Sequence, residues 1–471
     1  MNTFGLDNCV GILIKNKFIF LSFLISIFWY LALFPGRLGA DTAGAIRLIK
    51  AGETTDVWTA LYFKFLRFTT FEGRSVALTS IIQLTILALT IYWCMIALPI
   101  TRKNLEISYI IFILTPFFGA FGMTIAHDNL QVSGLMLLLG IEIRIIQNIE
   151  LSWKTILTVY GSSICLLLTT HTGVYIALIS LLILAARKRI FESIMLMFLI
   201  LIVSTTSLIG VTTSLYNGVS VIPTSQIKYW SFIADLKCVT QHPQADISIK
   251  DWKTLEKIST AKKWKDPISC ESSDKAVNSL DLQNSTFNFQ SVEFLKTYMG
   301  LTARNSAIVV MAHIQRGRGL LPPPFFQAPE NQIPLDTRIP IGLGTNTALQ
   351  SGPEVFHPSN DEPLVSYDFK WLKPFNFIAQ IPIFLLNQAS WFWGWAGFWL
   401  WPIMLYWLWK LKIRSFKKLI LSLYPVLALH CILFIVVPSS LARYYMITII
   451  LGVLLTITML VETLTETISA N

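Results

Sequence analysis

The chain has 471 residues, of which 54% are hydrophobic and only 14% charged, and its mean hydropathy is +0.59. A soluble chain carries about a quarter charged residues, so the composition excludes an ordinary soluble enzyme and points to a polytopic membrane protein. The formal net charge of +10 is spread over short Lys and Arg clusters between apolar segments, which reads as topology signal and headgroup contact and not as a nucleic-acid groove.

In chain order, a criterion of roughly 17–25 mostly apolar residues gives about ten spans. They fall at 18–35, 76–98, 106–123, 130–147, 153–170, 172–186, 190–213, 390–409, 419–437 and 443–461. The expected fold is an all-α polytopic membrane protein with a large mixed outward-facing loop region. Its parts are an N-terminal membrane module over 1–213, the loop region over 214–389 and a C-terminal three-span module over 390–471. The first span reads as a retained helix: it exceeds the roughly 7–15 apolar residues of a signal peptide, and Leu38 sits poorly before a cleavage point at Ala40.

Lys15 and Lys17, Arg102 and Lys103, Arg187 to Arg189, and Lys410 to Lys418 all fall on one side of this arrangement. Cationic loops stay cytoplasmic, so both termini are expected in the cytoplasm. The 34–75 loop, the turns near His127 and His171, the 214–389 region and the turn before Arg443 then face outward.

The first outward loop opens with "FPGRLGADTAGAIRLIKAGE". Pro35-Gly36 ends the first span, Asp41-Thr42 stands where a helix cap belongs, and Gly52 marks a stop. A second short helix is expected over 56–70, with Trp58, Leu61, Tyr62, Phe65, Leu66 and Phe68 on an apolar face that suits the bilayer interface. Asp41 is either a cap or a candidate base for an acceptor hydroxyl; Glu53 and Asp56 lie beyond the stop. The next outward turn, "GMTIAHDNLQ", carries His127, Asp128 and Asn129. Here too Asp128 and Asn129 read either as caps or as a second acidic site that converges with Asp41. His171 opens the sixth span and is a further candidate for the same site. Glu142 and Arg144 lie towards the other end, and His430 reads as a structural partner within the ninth span.

Within the loop region, 292–316 reads as helical, and "SAIVVMAHI" is apolar enough to touch lipid, flanked by Arg304, Arg316 and Arg318. A surface helix is expected over 375–388. Cys238 and Cys270 are the only cysteines of that region. In an oxidising space they pair and close a loop of about 30 residues, worth ~3–4 kcal/mol in the chain-entropy account. Arg443, beside Tyr444 and Tyr445, reads either as an interfacial anchor or as a phosphate clamp. The sequence has no phosphate-cradling glycine loop, no dinucleotide pattern and no HExxH, so any sugar donor is expected to arrive through the membrane.

These features resemble the GT-C class of integral-membrane glycosyltransferases. "PGRLGADT" followed by "TTDVWTALYFKFLRF" is similar to the first outer loop of bacterial members, and "RYYMITIILG" resembles their late span. Thr59-Ala60 departs from an expected His-Pro, and His127-Asp128 from an expected Lys-Asp. The resemblance implies inverting transfer of a sugar from a polyprenyl-phosphate carrier to a glycan or lipid acceptor, at the outer face of a bacterial inner (plasma) membrane, for envelope glycan or lipid modification. It implies Asp41 and Asp128 as catalytic acids, Arg443 with Arg316 and Arg318 as donor-phosphate contacts, and His127, Glu53 and His171 around the acceptor. If the reaction uses a divalent metal, Mg or Mn, Asp41 and Asp128 are its candidate ligands. The other readings are a polysaccharide polymerase or ligase that relies on loop arginines, and a transporter of lipid-linked glycan; against the latter there is no inverted repeat.

Overall fold

The computed structural model describes residues 17–34, 36–38, 40–55, 59–187, 189–216, 221–222, 229–267, 270, 273–280, 282, 287–289, 291–317, 374–375, 377–378, 396–413, 415–436 and 446–470. Helices make up almost all of it; the strands among the described residues are four two-residue segments. The first half runs α1 (Lys17–Ala32), β1 (Arg37–Leu38), α2 (Ala40–Ala51), β2 (Thr54–Thr55), α3 (Ala60–Thr69), α4 (Ala77–Ile96), α5 (Arg102–Leu114), α6 (Pro116–Gly122), β3 (Thr124–Ile125) and α7 (His127–Ile146). It continues with α8 (Trp153–Leu167), α9 (His171–Ala186), α10 (Ile190–Tyr216) and β4 (Val221–Ile222). The loop region holds α11 (Trp230–Gln241), α12 (Ile249–Ile258), α13 (Ala261–Lys265), α14 (Ser273–Asn278), α15 (Val292–Arg304) and α16 (Ser306–Gly317). The chain closes with α17 (Ala396–Trp409), α18 (Phe416–Val436) and α19 (Met446–Ala470).

Over the described residues, the apolar segments read from the sequence fall on helices, the third of them on two. Among the described residues, four helices, α4, α7, α18 and α19, are long and apolar enough to cross a membrane, and α5 with α6 forms a fifth if the bent pair counts as one span. The helices at the other apolar segments do not pass that test over their described residues, and the all-helical membrane-protein class holds. In the loop region, the described part of 229–317 is helix and turn. The expected surface helix over 375–388 lies outside the described residues, apart from 375, 377 and 378.

The third apolar segment is broken. α5 and α6 meet at 66°, with Pro116 at the first position of α6 and Thr115 capping it by accepting the Phe118 N–H. Proline lacks the amide that would continue the ladder, and the break leaves carbonyls to be satisfied. Trp29 of α1 does this: its Nε1 donates to the Ile113 carbonyl at 2.8 Å. The indole lies on Gly119, where a Cβ would come within 2.2 Å of the ring. The bend thereby turns α6 towards β3 and the start of α7. α7 is central, packing against α4, α8 and α18, while α19 packs against α17 and α5.

The loop region has its own core, built on Ile233, Leu236, Leu255, Trp264, Phe294 and Leu301. Cys238 and Cys270 are joined by a disulfide. The buried Lys237 donates to the carbonyls of Lys263, Trp264 and Asp266. The helix read over 292–316 is two helices. Asn305 stands between them, accepting the Asp246 N–H at 2.8 Å and donating to the Asp246 carbonyl at 3.0 Å. A side chain tied to a loop in this way competes with continuation of the helix.

Candidate functional site

The first loop and the turn before α7 meet through backbone. Gly36 has φ +118°, a conformation that glycine adopts freely, and a Cβ there would lie 2.7 Å from the Ser80 Cβ. The chain then enters β1, which pairs in parallel with β3, Arg37 opposite Thr124 and Leu38 opposite Ile125. Two-residue ladders are weak alone, and this one is backed by side chains: Thr42 Oγ1 donates to the Ile125 carbonyl at 2.6 Å and lies 3.3 Å from the Tyr62 hydroxyl.

α2 begins at Ala40, so Asp41 belongs to the first turn of the helix and does not precede it as a cap. The Asp41 side chain lies outside the described ones. The ladder carries Asp41's helix to the turn that holds Asp128. At the other end Gly52, with φ +71°, closes α2, and the Glu53 N–H reaches the Leu48 carbonyl at 2.9 Å. Glu53 therefore sits a helix length, ~15 Å, from Asp41, at a separate place in the loop.

α7 starts at His127 behind Ala126, which offers no side-chain cap. Asp128 and Asn129 thus lie inside the first turn, and neither acts as the cap. Asp128 is 4% exposed. Its Oδ1 is 3.5 Å from His127 Nε2, too far for a strong hydrogen bond, and its Oδ2 is buried with no hydrogen-bond partner. His127 Nδ1, Asn129 Oδ1 and Gln83 Oε1 are buried in the same condition. The two amides are anchored through their nitrogens: Gln83 Nε2 donates to the Ala126 carbonyl, and Asn129 Nδ2 to those of Phe121 and Gly122. Their oxygens are left over. Buried polar atoms in folded proteins are almost always paired. Four unpaired atoms lie on or beside this one turn, and three of them are acceptor oxygens able to receive hydrogen-bond donors. The Tyr62 ring meets His127 edge-on at 5.5 Å.

Further bonds stitch the neighbouring turns to this junction. Thr59 caps α3 by accepting the Tyr62 N–H, and its hydroxyl donates to the Thr169 carbonyl at 2.9 Å. Gln131 Nε2 donates to Thr172 Oγ1 at 2.8 Å. β2 pairs in parallel with β4, Thr54 opposite Val221, which ties the first loop to the entry of the loop region. His171 opens α9, next to Thr172, and is exposed. Within α3, which starts at Ala60, Tyr62, Phe63 and Leu66 face inward while Phe68 is exposed; Asp56 and Trp58 lie outside the described residues. Sequence reasoning missed Thr42, Thr59, Gln83 and Gln131. For Gln83 and Gln131 the available signal was a glutamine within a predicted membrane span, where a polar side chain calls for a partner.

Of the three arginines expected to meet a donor phosphate, Arg318 and Arg443 lie outside the described residues. Arg316 is fully buried. Its Nη2 pairs with Asp235 Oδ1, and its Nη1 lies 3.4 Å from the Ser231 carbonyl. The guanidinium is thus buried against a carboxylate, with its Nε left without a hydrogen-bond partner. Tyr298 donates to Asp235 Oδ2 at 3.0 Å, and His313 Nε2 lies 3.2 Å from the same oxygen. Burial, and then the Asp235 charge, pushes the Tyr298 phenol well above its usual range. At the opposite end of α7, Glu142 is buried between the Tyr160 hydroxyl at 2.5 Å and Arg187 at 2.7 Å. Arg144 stacks on Trp93 at 4.0 Å, and His430 Nε2 is 2.6 Å from Thr448 Oγ1. Among the described residues, no group of three or more His, Cys, Asp or Glu side chains could hold a metal ion. Asp41 and Asp128 alone would offer a cation two carboxylates.

The class defined by this fold is a predominantly helical protein with several helices long and apolar enough to cross a membrane. No family model matches the chain, and neither a curated protein nor a solved structure matches it.

Proposed function

We propose that the chain is a membrane glycosyltransferase of the GT-C kind, with about ten spans counting the shorter helices. It moves a sugar from a polyprenyl-phosphate carrier to a glycan or lipid acceptor at the outer face of a bacterial inner membrane. The observation that supports this reading best is the ladder joining the Asp41 helix to the turn of a buried, half-partnered Asp128. Hydroxyl groups of an acceptor are the donors that Asp128 Oδ2, Asn129 Oδ1 and Gln83 Oε1 lack.

In this mechanism Asp41 takes the acceptor hydroxyl's proton as its oxygen attacks the anomeric carbon. The bond from that carbon to the phosphate oxygen breaks on the opposite side, and the electron pair leaves with the phosphate, giving inversion. Asp128 and His127 orient the acceptor, and His171 borders its entry. Arg443 and Arg318 meet the phosphate, Arg316 being committed to Asp235. A magnesium or manganese ion, if bound, would be held by Asp41 and Asp128 and would neutralise leaving-group charge. A polymerase or ligase would lean on the loop arginines and would be disabled by their loss more than by loss of Asp41. A carrier-glycan transporter would move substrate without cleaving it.

The test uses the full chain in lipid nanodiscs with a panel of radiolabelled polyprenyl-phosphate sugars. Wild type and Asp41→Asn should both bind one donor, with release falling by about 10²–10⁴-fold in the variant, the usual worth of a general base. Unimpaired release by Asp41→Asn sinks the role of Asp41; movement of intact donor without release sinks the transferase reading.

A further inference from the structure

The helix pair α15–α16 carries two apolar faces where a helix of a small soluble domain has one. Inward, Phe294 and Leu301 close the core of the loop region, and Tyr298 reaches Asp235. On the other side of α15, Val292, Leu295 and Met299 are 67%, 56% and 61% exposed. Spacings of three and four put them in one stripe along the helix. α16 continues the pattern: Val309 and Ala312 face inward, while Val310 and Met311 are 51% and 53% exposed. A contiguous apolar surface of this kind marks an interaction site.

What lies against it follows from where the pair is anchored. α16 packs on α18, which is long and apolar enough to cross a membrane. The exposed flank of α16 therefore adjoins the lipid that surrounds α18. Along α15, Lys296 is exposed next to Leu295, where its ammonium can reach lipid phosphates while its stem lies on the apolar face. Glu293, the acid of this helix, is drawn away to Lys257 at 2.7 Å. Apolar residues in one stripe with a basic flank are the pattern of a helix lying in the bilayer interface.

We infer that the α15–α16 pair lies on the phospholipid surface beside α18. Val292, Leu295, Met299, Val310 and Met311 enter the boundary between headgroups and acyl chains. The disulfide-closed loop region thus rests on the membrane instead of standing away from it. This holds whatever reaction the chain performs.

The test places the photoreactive residue benzoylphenylalanine at Met299, Val310 or, as control, the exposed Lys253 of α12. The full chain is assembled in nanodiscs of radiolabelled phosphatidylethanolamine and phosphatidylglycerol and irradiated. Lipid adducts at positions 299 and 310 should exceed those at 253 by about tenfold, as interfacial burial of that face demands. Adducts no higher than at 253 overturn the inference. Protein–protein adducts at twice the chain's mass also overturn it, because a second copy would then cover the face.

Discussion

Asp128 and Asp235 are both buried carboxylates, and they differ in everything that surrounds them. Asp235, fully buried, is met by Arg316, Tyr298 and His313, so its charge is neutralised and both oxygens are engaged. Asp128, nearly as buried, has one long contact to His127 and an oxygen with nothing to bind. Glu142, at the far end of the same helix, has Tyr160 and an Arg187 guanidinium at 2.7 Å, although its Oε2 has no hydrogen-bond partner. What separates the three acids is the counter-ion: Asp235 has Arg316 and Glu142 has Arg187, while Asp128 has only His127 at 3.5 Å. A buried carboxylate costs folding energy unless paired, and the junction of β1 and β3 bears that cost where Asp235 and Glu142 do not.

The comparison breaks most readily on the Asp235 side. Arg316→Met leaves the Asp235 charge buried without its cation and should cost about 3–5 kcal/mol, the usual penalty for removing one partner of a buried pair. The thermal midpoint reads this directly, and a fall worth less than about 1 kcal/mol would mean that the pair is no keystone. On the Asp128 side, Gly36→Ala forces a Cβ to within 2.7 Å of the Ser80 Cβ at a positive φ. A cost of about 1–3 kcal/mol is expected. Amide exchange should quicken over 124–129 while the disulfide-closed loop region keeps its protection; unchanged exchange in that turn would show that the ladder is not what holds it.

The smallest effect contrasts the buried pair with an exposed one. The hydrogen bond from Lys257 holds the Glu293 carboxyl below its usual range, with further help from Thr254 and Lys250. Between that depressed value and the ordinary one, the unfolded chain binds the proton and the folded chain does not, so stability falls with pH through this window. Below the depressed value the contribution is gone. Glu293→Gln should flatten this acid limb and change neutral-pH stability little, as exposed pairs contribute little. An unaltered acid limb in the variant would remove Glu293 from the account.

Much of the architecture is legible in the sequence because apolar runs declare helices, and Gly52 declares the end of α2 through its left-handed backbone. Cys238 and Cys270 stand out as the two thiols of one polar region, and His430 as a polar group in an apolar helix needing a bond. Other features escape. Ladders of two residues have no periodicity to detect, so the pairing of Arg37 with Thr124 is visible only in three dimensions. Arg316 and Asp235 are 81 residues apart, and one sequence gives no sign that a flanking cation turns inward to a particular acid. The bend at Thr115–Pro116 hides inside an apolar run whose length suits a straight span. For Asp128, the sequence offers the choice between helix cap and site acid, and only the cap geometry at Ala126 decides against the former.

The central claim is that Asp128 is kept for a ligand and Asp235 for the fold. The most direct measurement pairs thermal stability with sugar release for Asp128→Asn and Asp235→Asn, using the full chain in nanodiscs and the donor that wild type accepts. The account predicts that Asp128→Asn melts with or above wild type and loses release, while Asp235→Asn melts well below it. Asp128→Asn melting as low as Asp235→Asn, or releasing sugar at the wild-type rate, would contradict it.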